Sequence, residues 1–265
     1  NRGLTESSMK ILHIISGTDP REGGPVECVR QLDAELSQHG VVQEVLSLDP
    51  PDDPAALGFP CKVHALGNPA VAGTGLVQRI KRWARYAPQA REWAKTHVAD
   101  YDAVVVNGLW NYSTRVAKLA LAGGSVPYVV YSHGMLDPWF RKRYPAKHAI
   151  KQVLWWINEG VLLRRANAVL FTCEQERMLA RQTFCPYRVN ERVVAFGTSR
   201  VQASVFGSYG RGEAGRNRGT IIAADNTDHD GLQNFLAHVR DSRNGYVSSA
   251  INTLRDSRRG LGGRA

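Results

Sequence analysis

The sequence predicts an α/β fold in which one parallel sheet carries helices on both faces. Short apolar segments alternate with longer amphipathic segments over residues 9–198, a pattern typical of parallel sheets built from strand–helix–strand units. Strands buried on both faces consist of such short apolar runs. A glycine-rich loop between the first strand and the first helix is the third observation, since loops of this kind open many folds of this class.

The individual elements follow from the apolar runs and from helical spacing. In the first helix, for example, Val26, Val29, Leu32 and Leu36 fall near one face. The predicted strands are Lys10–Ile15, Val42–Leu48, Lys62–Ala65, Ala103–Val106, Tyr128–Tyr131, Ala168–Phe171 and Val193–Ala195. The predicted helices are Pro25–His39, Leu76–His97, Ser113–Ala122, Ala146–Arg164 and Glu174–Thr183.

Composition narrows the class of protein. The chain has 265 residues, 43% of them hydrophobic, which is enough for one large domain or two small ones. It has no apolar run of the roughly 18 residues that a membrane span needs, and its polar start lacks a signal-peptide core. The four cysteines are widely spaced, which favours reduced thiols in a cytoplasmic protein over a metal site or a disulfide framework.

Charge indicates the kind of partner. The net charge of +10 favours anionic partners: nucleic acid, acidic lipid headgroups or phosphorylated substrates. The basic residues accompany no nucleic-acid-binding motif, so we expect no nucleic-acid partner. Two stretches mix basic and aromatic residues, within Leu76–His97 and within 139–156. They suit an anionic membrane surface, and a solvated basic face with its aromatic side chains turned inward is the alternative.

The composition changes abruptly after Thr198. Residues 199–265 contain no Pro, Lys, Trp, Met or Cys, and Arg alone gives them their net charge of +4. We therefore expect two parts, an α/β domain at 9–198 and an atypical Arg/Gly-rich tail at 199–265. An out-of-frame junction or a fusion predicts such a shift, and a natural, disordered or loosely folded tail is the alternative.

Three loops are expected to carry function, because the carboxyl ends of parallel strands meet at one edge of the sheet. They are Ser16–Gly24, Asn107–Tyr112 and Ser132–Trp139. In the first, Gly23 and Gly24 precede a helix whose free N–H groups and dipole suit an anionic group such as a phosphate. A flexible connection that happens to hold two glycines is the alternative.

These loops carry a family resemblance. The string Ser132-His133-Gly134-Met135-Leu136-Asp137-Pro138-Trp139 is its most specific part, followed by the paired glycines 23 and 24; Asn107-Gly108-Leu109-Trp110, Leu163–Val169 and Phe171–Glu176 complete the order. Over residues 9–198 the chain resembles the N-terminal domain of GT-B glycosyltransferases of family 4, especially bacterial enzymes that build cell-surface polysaccharides.

The resemblance implies a Rossmann-like domain that forms the acceptor half of a two-domain enzyme. It implies a nucleotide-sugar donor as co-substrate, a glycan or lipid-linked acceptor, retention of anomeric configuration, and no cofactor or bound metal. It places Gly23 and Gly24 near the donor diphosphate and His133 near the transferred sugar. The family's donor domain carries a pair of glutamates separated by seven residues, whereas Glu213 is the single glutamate after residue 198. We therefore expect no sugar transfer by this chain alone.

The candidate site residues each have a structural alternative. His133 is the candidate catalytic residue, since imidazole hydrogen-bonds sugar hydroxyls and its charge is adjustable near neutral pH. The alternative is that its ring hydrogen-bonds backbone groups of its own loop. Trp110 suits stacking on a sugar or packing at a loop–helix junction, and Asp137 suits an acceptor hydroxyl or a turn. The candidate substrate-binding residues are Gly23, Gly24, Asn107, Trp110, Gly134 and Asp137.

Two further interpretations complete the expectations. Thr172 and Gln175 fit a capping box that opens the helix at Glu174. The whole chain also fits a non-catalytic module that binds an acceptor or a phosphate. A complete donor domain distinguishes the enzyme from that module.

Overall fold

The computed structural model describes residues 9–68 and 85–194. Within them, seven strands form one sheet in the order β3-β2-β1-β4-β5-β6-β7, and every neighbouring pair is parallel. The strands are β1 (Met9–Ile14), β2 (Val41–Ser47), β3 (Lys62–Ala65), β4 (Ala103–Asn107), β5 (Tyr128–Tyr131), β6 (Ala168–Phe171) and β7 (Glu191–Val193). This confirms the predicted parallel, Rossmann-like α/β sheet.

The helices connect successive strands. They are α1 (Gly24–Gln38), α2 (Pro54–Leu57), α3 (Pro88–His97), α4 (Tyr112–Leu121), α5 (Trp139–Arg143), α6 (Pro145–Leu154), α7 (Gly160–Arg165) and α8 (Glu174–Ala180). A π-helical segment, Trp155–Glu159, joins α6 to α7, and short 3₁₀ turns lie at Pro20–Glu22 and Val98–Asp100. None of the described helices is long and apolar enough to cross a membrane.

Alternating strand residues build a core on each face of the sheet. On one face Leu12, Val104 and Val130 pack with side chains of α3, α4 and α7. On the other face Ile11 and Val105 pack with Leu36 of α1. Both faces of the strands are therefore buried, which is why their sequences are continuous apolar runs.

The structure corrects several predicted boundaries. The last strand is Glu191–Val193 rather than Val193–Ala195, because Glu191 and Arg192 pair with β6 although they are charged. The helix predicted at Ala146–Arg164 is interrupted by the π-helical segment. Of the helix predicted at Leu76–His97, residues 76–84 lie outside the described residues, as do residues 1–8 and the tail after residue 194.

Candidate functional site

The candidate site lies where the direction of the chain reverses across the sheet. From β1 the chain moves outward to β2 and β3, and it then returns to place β4 on the other side of β1. A crevice at the carboxyl ends of the strands is expected at such a point, because the two following connections leave the sheet in opposite directions. The loop after β1 carries Gly23 and Gly24, β4 ends at Asn107, and the loop after β5 begins with Ser132.

Asn107 links two histidines at this edge. Its Nδ2 donates to His13 Nδ1 at 3.3 Å, and its Oδ1 accepts from His133 Nε2 at 3.2 Å. His13 Nε2 in turn donates to Gln43 Oε1 at 2.6 Å. This alternation of donors and acceptors requires His13 to be neutral with its proton on Nε2, because the ring accepts at Nδ1 and donates at Nε2, and it requires a proton on Nε2 of His133.

Burial keeps both imidazoles neutral at physiological pH. It lowers the pKa of His13 to about 4, against a smaller opposing effect of the bond to Gln43. It also lowers the pKa of His133 to about 4, and the charge of Glu176 offsets only part of that shift. We expected a charge adjustable near pH 7 at His133; instead, the ring is suited to accept or donate a hydrogen bond without carrying charge.

The backbone around His133 has an uncommon conformation. His133 and Gly134 have φ values of 47° and 74°, and a non-glycine residue in the left-handed region costs free energy unless its surroundings hold it there. The ring stacks on Tyr131, with centroids 4.7 Å apart. The strand end thus fixes the direction of the imidazole.

Glu176, at the start of α8, holds this loop in place. Its Oε1 accepts from Ser132 Oγ at 2.7 Å and from the Gly134 amide at 2.8 Å. Its Oε2 accepts from the Thr172 amide and hydroxyl, both at 2.7 Å. The predicted capping box is therefore wrong in its partner: the carboxylate four residues after Thr172, rather than Gln175, receives the bonds, and Cys173 is the N-cap residue.

Gly134 and Asp137 line a shallow depression of about 220 Å³, together with Cys173, Gln175, Glu176 and Leu179. Asp137 Oδ1 accepts from the Trp139 amide at 2.7 Å. Asp137 therefore makes the turn contact expected of an aspartate before proline, and it also faces open space beside the His133 loop.

The glycine loop has fewer free N–H groups for an anion than the sequence suggested. The Gly23 amide donates to Pro20 O at 3.1 Å, and the Val26 and Glu27 amides donate to Gly23 O at 3.1 and 3.3 Å. Pro25 has no N–H. Among the described residues of this turn, Gly24 is the one whose amide has no acceptor, and a methyl group added at Gly24 would meet nothing within 4 Å.

Charged side chains brace the start of the same loop. Asp49 accepts from the Thr18 amide and hydroxyl at 2.7 and 2.8 Å. Arg85 pairs with Glu22 at 2.7 Å and lies 3.7 Å from Asp49. Gly17 fits between them, since a Cβ there would collide with the Arg85 guanidinium. The acidic residues of this loop are therefore paired.

In the structure, Trp110 packs against other side chains. Its ring lies 4.8 Å from that of Phe184 between centroids, and its indole N–H donates to Met135 O at 3.1 Å. The Lys151 ammonium lies 4.7 Å from the same ring. Its φ of 69° nevertheless makes it, with His133, a second strained non-glycine residue in these loops.

The sequence missed two residues of this network. His13 lies inside an apolar strand and is fully buried. A buried polar side chain in such a strand requires a partner, and that requirement is the signal that could have identified it. Glu176 offered the spacing from Thr172, but its bonds to Ser132 and Gly134 depend on the pairing of β5 with β6.

A family model described as a glycosyl transferase 4-like domain matches residues 23–197. No curated protein sequence matches the chain. Among solved structures, the chain is similar to the crystal structure of MurG from Acinetobacter baumannii, with a TM-score of 0.43 and 16% identity over 74% of this chain and 47% of that one. The chain thus spans about half the length of that protein.

Proposed function

The chain belongs to the glycosyl transferase 4-like domain family, and from that premise we propose that it forms the acceptor half of a glycosyltransferase. The reaction moves a sugar from a nucleotide-sugar donor to a glycan or lipid-linked acceptor in cell-surface polysaccharide synthesis at the cytoplasmic side. One observation supports this most: Asn107 orients a neutral His133 at the sheet edge where ligands bind in this class.

The proposed roles follow from the contacts. His133 hydrogen-bonds a sugar hydroxyl without adding charge, and Glu176 fixes the loop that carries it. Gly24 offers its amide and the helix dipole to the donor diphosphate. We propose transfer with retention of configuration and without a bound metal or cofactor, as the family resemblance implies.

We further propose that the protein docks on an anionic membrane. Residues 138–158 contain five Lys or Arg and no Asp or Glu. On this segment the side chains of Trp139, Ile150 and Trp156 are 55%, 64% and 56% exposed. Exposed aromatic and aliphatic side chains beside cations match an anionic lipid interface, where a lipid-linked acceptor resides.

Transfer also needs groups that stabilise the charge developing on the leaving diphosphate. In the described residues, the turn at the start of α1 provides the amide of Gly24, and His133 provides a neutral ring. We therefore expect the chain to bind an acceptor but to transfer no sugar unless a donor domain supplies those groups.

The test measures transfer of labelled sugar from a panel of nucleotide sugars to lipid-linked acceptors. The chain is assayed alone and fused after Thr198 to a family donor domain. We expect transfer by the fusion, its loss in the His133→Ala fusion, and none by the chain alone. Transfer by the chain alone that His133→Ala abolishes would contradict the half-enzyme proposal. A fusion that binds acceptor but never transfers sugar would favour the non-catalytic binding module.

A further inference from the structure

A second depression lies next to the His133 loop, on the side of α5 and α6. It has a volume of about 240 Å³, and Asp137 lines it as well as the first depression. The residues that line it include the aromatic residues Phe140, Tyr144 and Phe184 and the two lysines Lys147 and Lys151. We call it the lysine cleft. Its position makes it a neighbour of the proposed sugar site rather than a part of it.

The two ammonium groups lie against aromatic rings. Lys147 Nζ lies 4.9 Å from the Tyr144 ring centroid. Lys151 Nζ lies 4.7 Å from the centroid of Trp110 and 5.4 Å from that of Phe140. Within residues 9–68 and 85–194, neither lysine forms an ion pair with a carboxylate.

The electrostatics of the cleft favour an incoming anion. Burial lowers the pKa of Lys151; the charge of Glu159 opposes this shift, and a smaller repulsion from Lys147 adds to it. Burial, together with the charges of Arg141 and Lys151, also lowers the pKa of His148. Asp137 is the acidic residue of the lining, and one of its oxygens already accepts from the Trp139 amide. An anion between the two lysines would relieve their repulsion.

We propose that the lysine cleft binds the phosphate group of a lipid-linked molecule, with Lys147 and Lys151 as its ligands. Ammonium groups bind phosphate as point charges, and the rings of Phe140 and Tyr144 offer apolar surface to the chain attached to it. The same helix exposes Ile150 and Val153, at 64% and 49%, where a lipid tail would continue. The inference rests on the proposed function, since it identifies this molecule as the acceptor.

The test uses farnesyl phosphate below its micelle concentration as the probe, with binding to the full chain followed by calorimetry. Farnesol and inorganic phosphate are the partial probes, and we expect each to bind at least tenfold more weakly than farnesyl phosphate. The Lys147→Gln/Lys151→Gln variant should lose tenfold or more in affinity. The Lys147→Arg/Lys151→Arg variant should retain most of the affinity, which separates lost charge from lost folding.

The matched control is Lys142→Gln/Arg143→Gln, which removes two charges from α5. Neither residue lines the cleft, and Arg143 contacts it only through the ring of Tyr144, 5.4 Å from its guanidinium. We expect its affinity for farnesyl phosphate to stay within twofold of the wild type. An equal loss of affinity in both double variants would overturn the inference, because it would show that binding depends on overall surface charge. Inorganic phosphate binding as tightly as farnesyl phosphate would overturn the lipid assignment.

Vesicles distinguish a lipid headgroup from the lipid-linked ligand. Sedimentation with phosphatidylglycerol vesicles should weaken in both double variants, whereas farnesyl phosphate binding should weaken only in the Lys147/Lys151 variant. The reverse pattern would overturn the inference. Binding of farnesyl phosphate does not require sugar transfer, so the two proposals can fail separately. If binding behaves as expected and the fusion transfers no sugar, only the proposed function fails. If the fusion is active and the lysine variants bind farnesyl phosphate as the wild type does, only this inference fails.

Discussion

At the scale of single residues, the site depends on polar groups that leave no alternative arrangement. Asn107 uses its oxygen for one histidine and its nitrogen for another, so its orientation and both ring tautomers are set together. The sequence alone predicted Asn107 and His133 as neighbours, because each follows a strand. It did not predict His13 or Glu176, whose partners lie on other elements that only the folded sheet brings close.

We predict that alanine at Gly23 lowers stability, whereas alanine at Gly24 weakens donor binding. Gly23 has φ 83° and ψ −141°, a conformation that disfavours side chains, whereas Gly24 begins α1. Gly23→Ala should lower the free energy of unfolding by about 1–3 kcal/mol, measured by urea denaturation. Gly24→Ala should change stability little and weaken donor binding in the fusion, since the methyl group would occupy the approach to its amide. Equal stability losses would contradict this assignment.

Glu176 is predicted to stabilise the His133 loop. Glu176→Gln replaces one accepting oxygen by a donor, which leaves two of the four donors unmatched, and we expect a loss of about 2–4 kcal/mol from broken charge-assisted bonds. Faster hydrogen exchange at the Gly134 amide should accompany it. The control is Glu174→Gln in the same helix, which breaks only the ion pair with Arg177 at the surface. A comparable effect of both variants would show that the loop does not depend on Glu176.

At the scale of secondary structure, apolar periodicity predicted the interior strands to within one or two residues. It failed at β7, where Glu191 is charged but accepts from Arg177, Arg181 and Tyr187, contacts that outweigh its low strand propensity. It also treated 146–164 as one helix. The π-helical segment begins at Trp155, whose ring stacks on that of Phe184, a tertiary contact that no local spacing encodes.

Glu159, at the end of the π-helical segment, gives a prediction about pH. The side chain is buried, its Oε2 has no hydrogen-bond partner among the described residues, and burial raises its pKa. The folded state therefore holds this proton more tightly than the unfolded state, and Glu159 reduces stability as pH rises above about 4.5. Glu159→Gln should match or exceed wild-type stability at pH 7 and lose that relative advantage at pH 4. A difference that is constant with pH would contradict the shift.

At the scale of the whole molecule, the predicted α/β class and family are confirmed, and the sheet order adds the position of the crevice. The strand order could not be predicted from the sequence, because strand periodicity does not indicate which strands are neighbours. The basic surface predicted from the sequence lies in part on α5 and α6, and its role stays a prediction.

The buried histidines predict how the fold responds to acid. Since burial lowers the pKa of His13 from 6.5 to about 4, the unfolded chain binds a proton that the folded chain excludes. Stability should be complete above pH 6.5 and fall as pH decreases towards 4, by about 3 kcal/mol from His13 alone. Unfolding of the wild type and of His13→Gln between pH 4.5 and 7.5 measures this, and the exposed His39→Gln provides the control. An unchanged slope in His13→Gln would contradict the prediction.

The position of β1 between β2 and β4 also determines when the crevice can form during synthesis. As the chain emerges from the ribosome, β1, β2 and β3 can pair with one another first, and one side of β1 stays uncovered. Asn107 is 94 residues beyond His13, and Glu176 follows Ser132 by another 44. A nascent chain therefore exposes the unpaired edge of β1 until β4 has been synthesised. At this stage the edge can pair with other chains, and protection by a chaperone matters most.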